Sequence, residues 1–258
     1  EIKSDINIFT NKTLSKSLCV EGWRNLNHSY SLVNQWQLLK LVDLKINLKH
    51  RDVAPYKEFW NSKKNCSGLT SEQIKIINQI PTPNNNNRFE VVYRISFPLN
   101  ISLSNSDRLF VFGTSEFGIK NNIFVGASVK EACTREDLKI ITPSNWSKVG
   151  FLKTGFMEEN IKVIPHGVEP SSFYKSDYKS RFLYRTNLGI QPDDFVLLNI
   201  GALSSNKGVE LLVSAYILLK SKYSNLRLLI KDSSNLYGKT FKNILSEMKK
   251  NQRNKNLD

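Results

Sequence analysis

A chain of 258 residues, 40% hydrophobic and 10% aromatic, is long enough for one large domain or two ordinary ones and can bury a sizeable core. Its mean hydropathy is −0.35, and no apolar run approaches the roughly 18–20 residues that cross a bilayer as a helix, which excludes a transmembrane helix. The formal net charge of +14 suits anionic partners, through either a lysine-biased surface or a basic face used at an anionic membrane.

The N-terminal stretch has no continuous hydrophobic segment of the secretory kind, so a cytoplasmic location is expected. Cys19, Cys66 and Cys133 are far apart and form no CxxC pair, which points to reduced thiols rather than a disulfide or metal framework. His28, His50 and His166 are the only histidines and there is no HExxH, so no metal site is expected. The basic residues are spread along the chain and densest at the tail. They are not clustered with interleaved aromatics, so nucleic acid is not expected as a partner.

In chain order, strands are expected at 17–22, 44–48, 89–95, 108–113, 138–142 and 161–164, then at 195–200 and 226–230. Several carry apolar residues in succession, as strands covered on both faces do; the run ending at Ile200 reads as a buried strand. Between them lie helical patterns. Residues 31–42 place Leu32, Trp36, Leu39 and Val42 on one stripe; residues 144–155 run from Ser144 as N-cap to Gly155 as C-cap. The helix after Lys207 puts Val209, Leu212, Val213 and Tyr216 toward a core, and residues 240–250 form a last amphipathic helix. The segment 61–69 and the Asn-rich tract 80–88 read as exposed loops, the tract as a low-complexity linker. Residues 166–194 show no strand pattern and connect a first unit of six strands to a second of two. The alternation predicts an α/β chain with a mostly parallel sheet.

Strand–glycine–loop–helix arrangements present backbone N–H groups to an anion, and three places fit. In "GWRNLNHSY" (22–30), His28 and Ser29 sit at a helix mouth, where they either touch a substrate or cap the helix. It is not the GxGxxG fingerprint. In "TPSNW", Ser144 is an N-cap or a ligand residue. In "GALSSNKGVELL" (201–212), Lys207 and Gly208 open a helix after Gly201. A lysine there opposes the helix dipole, a mild cost that a bound phosphate would remove; the alternative is a capped helix start with a solvated lysine. Glu116, in "GTSEF" at a strand end, reads by itself as a surface helix-cap carboxylate.

The ordered series "IITPSNWSKVGFLKTGFMEENIKVIPHGVEPSSF" and "LGIQPDDFVLLNIGALSSNKGVELLVSAYILL" resembles the retaining glycosyltransferases of family 4, which have the two-Rossmann (GT-B) fold. The N-terminal half, with "EGWRNLNHSYSLVNQWQLL", "HRD", "YRISFP" and "VFGTSEFG", looks more loosely like their acceptor-side domain. The resemblance implies a GT-B-like α/β fold: a complete N-terminal Rossmann-like domain at 1–168, a linker at 169–190 and a partial C-terminal donor-side domain at 191–258. It also implies transfer of a sugar, with retention, from a nucleotide-diphosphate sugar to a glycan or lipid-linked acceptor in polysaccharide biosynthesis. No cofactor or metal is implied, and an anionic membrane surface at the inner face is a compatible partner.

By the same resemblance, Gly201, Lys207 and Gly208 would hold the donor diphosphate, with Ser144, His166 and Gly167 also on the donor side. His28 and Ser29 would form an acceptor-side loop and Glu116 would be the catalytic carboxylate. Two departures stand out. Ala202 occupies the place where the family carries an arginine, and the family's paired glutamates have no counterpart after Asp232, so a C-terminally truncated chain is expected. A catalytically inactive, glycosyltransferase-like binding module is the alternative.

Overall fold

The computed structural model describes residues 17–26, 28–57, 60, 69–115, 118, 123–203, 207–231, 241–246 and 248. The chain divides into two compact units, Glu1–Gly167 and Val168–Asp258.

The first unit runs β1 (Ser17–Gly22), α1 (Ser29–Asp43), β2 (Asn47–Asp52), α2 (Ser71–Asn78), β3 (Phe89–Ile95), β4 (Leu99–Asn100), β5 (Ser106–Phe112), β6 (Phe124–Val125), α3 (Val129–Cys133), β7 (Leu138–Thr142), α4 (Asn145–Thr154) and β8 (Ile161–Val163). Six strands form one sheet in the order β2-β1-β3-β5-β7-β8, every neighbour parallel. From β1 the chain moves outward to β2, and from β3 it moves the other way. The order therefore reverses between β1 and β3, where open parallel sheets keep a crevice at the carboxyl ends of their strands. The two-residue strands β4 and β6 pair separately.

Apolar runs make these strands central ones. Leu109, Leu138 and Ile140 are fully buried, and Phe151 of α4 packs edge-on to Phe124 and Phe156 beneath them. Charge is buried only where it is paired. Glu21 of β1 accepts from Arg94 at 2.8 Å and pairs with Arg51, and Arg94 also donates to the Ser102 carbonyl at 2.7 Å. Arg24 joins Asp52 to the Ile77 carbonyl, tying the loop after β1 to α2. Cys19 and Cys133 are free and buried, and burial raises the Cys19 thiol to about 11; Cys66 lies outside the described residues.

The buried face of α1 differs from the expected stripe. Leu39 is buried, but Leu32, Trp36 and Val42 are only half-buried, and the face turned inward carries Tyr30, Ser31, Asn34, Gln35 and Leu38. The reason is polar. Asn34 donates to the Trp23 carbonyl at 3.0 Å and Gln35 to the Arg24 carbonyl, so these amides satisfy a loop that would otherwise bury bare carbonyls. The Asn-rich tract is a turn joining α2 to β3 inside the first unit; its Ile80 and Pro83 are buried, and the Pro81 carbonyl accepts from the His50 N–H. Segment 61–68 lies outside the described residues.

The second unit carries α5 (Tyr178–Asn187), β9 (Phe195–Ile200), α6 (Val209–Lys220) and β10 (Leu226–Lys231), and residues 241–246 are also helical. Helix α5 occupies the stretch expected as linker. Asp177 caps it at the Ser180 N–H, 2.8 Å away, and Arg185 donates to the Gln191 and Asp194 carbonyls. β9 and β10 are parallel. Leu203, Val209, Val213 and Ile244 form a small core with Leu228 and Ile230. Contrary to the expectation of a buried strand, Phe195, Leu198 and Ile200 are exposed. Among the described residues β9 pairs only with β10, and helices cover one face of the pair.

Candidate functional site

The carboxyl edge of the first sheet is shaped from Gly22 onward. A Cβ there would lie 2.6 Å from the Ile95 carbonyl oxygen and 3.1 Å from the Asn34 amide, so only glycine lets β1 leave the sheet beside β3. The chain enters α1 through His28, whose extended backbone is that of an N-cap and whose Nδ1 accepts the Tyr30 N–H at 3.2 Å. The imidazole packs edge-on to Trp23 and tilted against Trp60, each at 5.2 Å between centroids. Burial lowers its pKa to about 4, so the ring is neutral at pH 7. With Nδ1 accepting, the proton sits on Nε2.

Two hydroxyl relays hold the neighbouring strand ends. The Tyr30 hydroxyl lies 3.2 Å from the Thr114 Oγ1 and accepts the Thr114 N–H at 3.3 Å, joining α1 to the loop after β5. Ser147 lies in the first turn of α4. Its Oγ accepts from the Ser115 N–H at 2.8 Å and from the Thr142 hydroxyl at 2.6 Å, and its own N–H donates to the N-cap Ser144 at 3.1 Å. One side chain thus locks the ends of β5 and β7 to α4.

Between the first turns of α1 and α4 lies a cavity of about 270 Å³. Ser29, Tyr30 and Val33 form one wall, Phe112, Thr114 and Ser115 the floor, and Pro143, Ser144, Trp146, Ser147 and His166 the other side. The His166 ring is 5.6 Å from Phe112. Among the described residues the lining is hydroxyl, aromatic, imidazole and aliphatic, with no Lys, Arg, Asp or Glu.

Of the residues singled out from sequence, Ser29, Ser144 and His166 come together on this cavity. His28 stands behind Ser29 as its cap, and Gly167 follows His166 as an exposed residue. Glu116 lies outside the described residues. Tyr30, Thr114, Trp146 and Ser147 were not singled out. The signal for Ser147 was the pair of serines three apart in "PSNWS", an N-cap and its N3 partner.

Gly201, Lys207 and Gly208 belong to the second unit. Gly201 ends β9 by donating to the Lys231 carbonyl at 3.0 Å, and Leu203 drops into the core. Residues 204–206 lie outside the described ones. Lys207 is exposed at the mouth of α6, and Gly208 holds the N-cap with φ 65° and ψ 27°. That left-handed conformation suits glycine, which brings no side chain of its own to cap the helix, and Lys207 beside it is exposed. Val209 and Val213 anchor the helix from below.

Among the described residues no group of three His, Cys, Asp or Glu could hold a metal, and no helix is long and apolar enough to cross a membrane.

No family model matches the chain. A segment of 96 residues is 35% identical to the lipopolysaccharide 1,2-N-acetylglucosaminetransferase of Salmonella typhimurium, spanning 36% of this chain and about a quarter (24%) of that protein. The fold is that of HepE (Alr3699) from Anabaena. The chain matches its crystal structure in complex with UDP and glucose at a TM-score of 0.56 and 13% identity, covering 93% of this chain and 67% of that one. Against the UDP-glucose complex the TM-score is 0.57 at 14% identity, covering 91% and 64%. The α/β class of GT-B type is thereby shown, and the chain is similar to a sugar transferase over the matched segment.

Proposed function

We propose that the chain carries the activity of a retaining glycosyltransferase that moves a hexosyl group from a nucleotide-diphosphate sugar to a glycan or lipid-linked acceptor. The observation that carries this reading is the start of α6 after β9: an exposed lysine and a helix opened by a glycine that brings no capping side chain, in a fold shared with a protein crystallised with UDP-glucose. Lys207 and the first N–H groups of α6 would take the diphosphate as its charge grows on bond cleavage, an electrostatic role that needs no metal. Ser144, His166 and Gly167 join the donor side in this reading, Glu116 is its catalytic carboxylate, and His28 and Ser29 belong to the acceptor loop. The reaction would take place in the cytoplasm, with the +14 chain held at an anionic inner membrane face.

A second reading, an inactive module that keeps the fold and binds without turnover, is favoured by Ala202, because an arginine beside the lysine would add a bidentate phosphate contact. Both are tested by thermal shift with nucleoside diphosphates, then by turnover with a panel of nucleotide sugars. Binding with turnover supports the transferase, binding without turnover supports the inactive module, and no shift with any nucleotide removes both.

A further inference from the structure

Helix α5 of the second unit buries no side chain. Among the described residues, Arg185 ties it to the start of β9 by donating to the Gln191 and Asp194 carbonyls, each at 2.7 Å. A helix of ten residues is marginal in water on its own hydrogen bonds and ordinarily draws its stability from an apolar face packed on something. In α5 the apolar groups are present and face outward. Tyr178 is 81% exposed, and Phe182, Leu183 and Tyr184 are exposed by half or more, as are Phe173 and Tyr174 in the segment before the helix.

Charge adds a second observation. Basic residues are spread along the chain as a whole, but within 173–185 they alternate with these rings: Lys175, Lys179 and Arg181 are all exposed, and Arg185 is the tether. Asp177 is the one acid of this stretch, and its carboxylate is engaged at the helix cap by the Ser180 N–H at 2.8 Å and the Ser180 hydroxyl at 2.7 Å. Tyr178 and Phe182, four apart, form one ridge with Lys179 and Arg181 to its two sides, while Leu183 and Tyr184 lie elsewhere around the helix. Apolar groups on several sides do not suit a protein groove, which takes a single stripe. The headgroup zone of a bilayer accepts rings from a broad surface and draws the cations beside them.

We infer that residues 173–185 are the surface by which the second unit docks on an anionic lipid bilayer, with Tyr178 and Phe182 entering the headgroup zone and Lys175, Lys179 and Arg181 meeting its phosphates. The purpose of docking, reaching an acceptor at the membrane, rests on the transferase reading; the chemistry of the surface does not. Tyrosine brings an apolar body to that depth and keeps its hydroxyl wet, and each cation near an anionic leaflet strengthens binding about fivefold. On lipid, α5 gains the apolar packing that it lacks in water.

The test is co-sedimentation of the full chain, without nucleotide or sugar, with phosphatidylcholine vesicles and with the same vesicles carrying phosphatidylglycerol. The anionic vesicles are expected to bind about 10²-fold more tightly, the product of three cations at about fivefold each. Lys175→Gln/Lys179→Gln/Arg181→Gln should remove most of that difference, and Tyr178→Ser/Phe182→Ser should weaken anionic binding about tenfold. Lys75→Gln/Lys130→Gln/Lys153→Gln takes the same charge from exposed lysines of the first unit and should change binding by no more than about twofold. Because α5 buries no side chain, its substitutions leave the fold intact, which circular dichroism checks. Hydrogen exchange reads the unaltered helix directly, and its amides should slow about tenfold on anionic vesicles. No preference for anionic vesicles, equal losses in the two charge variants, or unchanged exchange in α5 would each overturn the inference. So would tighter binding to single-stranded nucleic acid than to vesicles, which would assign the rings and cations to base stacking. Docking without turnover of any nucleotide sugar keeps this surface and removes the transferase reading; turnover on a soluble acceptor without docking removes the surface alone.

Discussion

The junction from β1 to α1 and the junction from β9 to α6 share one plan, strand, glycine, loop and helix, and finish it in opposite ways. At the first, the loop is sealed: Asn34 and Gln35 satisfy its carbonyls, His28 caps the helix, and Trp23 and Trp60 enclose the cap. At the second, Gly208 takes the cap position with no side chain and Lys207 is exposed. A closed junction is a scaffold whose hydrogen-bonding capacity is spent inside the protein. An open one keeps its N–H groups for something else, at a cost in local stability.

If that contrast is right, the largest effect belongs to the open junction. Lys207→Ala is expected to lower kcat/KM with a nucleotide sugar by about 10²-fold, or roughly 2.7 kcal/mol of transition-state stabilisation, while leaving the melting temperature unchanged. Steady-state kinetics and a thermal melt read the two separately. Equal rates in wild type and variant would remove the role of Lys207.

The next effect breaks the closed junction with acid. His28 has a folded-state pKa of about 4 because of burial, below the ordinary 6.5. His50 falls to about 3 through burial and the Arg24 charge, against the opposing pull of Asp52. Above pH 6.5 both states carry neutral imidazoles and stability is complete. As pH falls below 6.5 the unfolded chain takes up protons that the folded one refuses, so stability is lost. The loss through His28 runs to about pH 4 and amounts to roughly 2–3 kcal/mol. His50 continues it to about pH 3. Urea denaturation between pH 7 and 4 should show this slope, and His28→Asn, which keeps a capping side chain, should flatten it. An unchanged slope would mean that His28 is not closed off as described.

The two junctions were unequally legible in the sequence. Most strands of the first sheet were readable because the parallel sheet imposes apolar runs, and Ser144 to Gly155 announced its helix by its caps. The strand expected at 44–48 instead runs Asn47–Asp52, a polar edge strand with no apolar run to mark it. The stripe on α1 was misjudged because amides at 34 and 35 serve backbone carbonyls, and periodicity counts only apolar residues. Helix α5 was missed because it buries no side chain and so has no core face to show. The cavity was legible only in part. Ser29, Ser144 and His166 stood beside strand ends and could be singled out one by one, whereas Thr114 and Ser147 act through a partner on another strand or loop, and spacing along one chain cannot reveal such a pairing.

A smaller effect sharpens the open side. Gly208→Ala forces a Cβ into left-handed backbone with nothing within 4 Å to clash, so the cost is conformational alone, about 1 kcal/mol. It should also weaken nucleoside diphosphate binding, because relaxing φ turns the first N–H groups of α6 away from a common point. A melt with and without the nucleotide separates the two, and a destabilised variant with full ligand shift would show that this geometry does not serve binding.

The smallest effect lies at the cavity and tests how far the cap and the relay are separate there. Ser144→Ala removes the acceptor of the Ser147 N–H, worth about 1 kcal/mol at most helix starts. Here the loss should fall toward the lower end, near 0.5 kcal/mol, because Ser147 stays anchored through its Oγ to Thr142 and to the Ser115 N–H. If the relay holds α4 as the geometry says, Ser144→Ala should leave the urea-unfolding midpoint close to that of the wild type. Ser147→Ala should do more, since it unpins β5, β7 and α4 together. Equal midpoint shifts from the two substitutions would show that the capping hydroxyl, and not the relay behind it, holds α4.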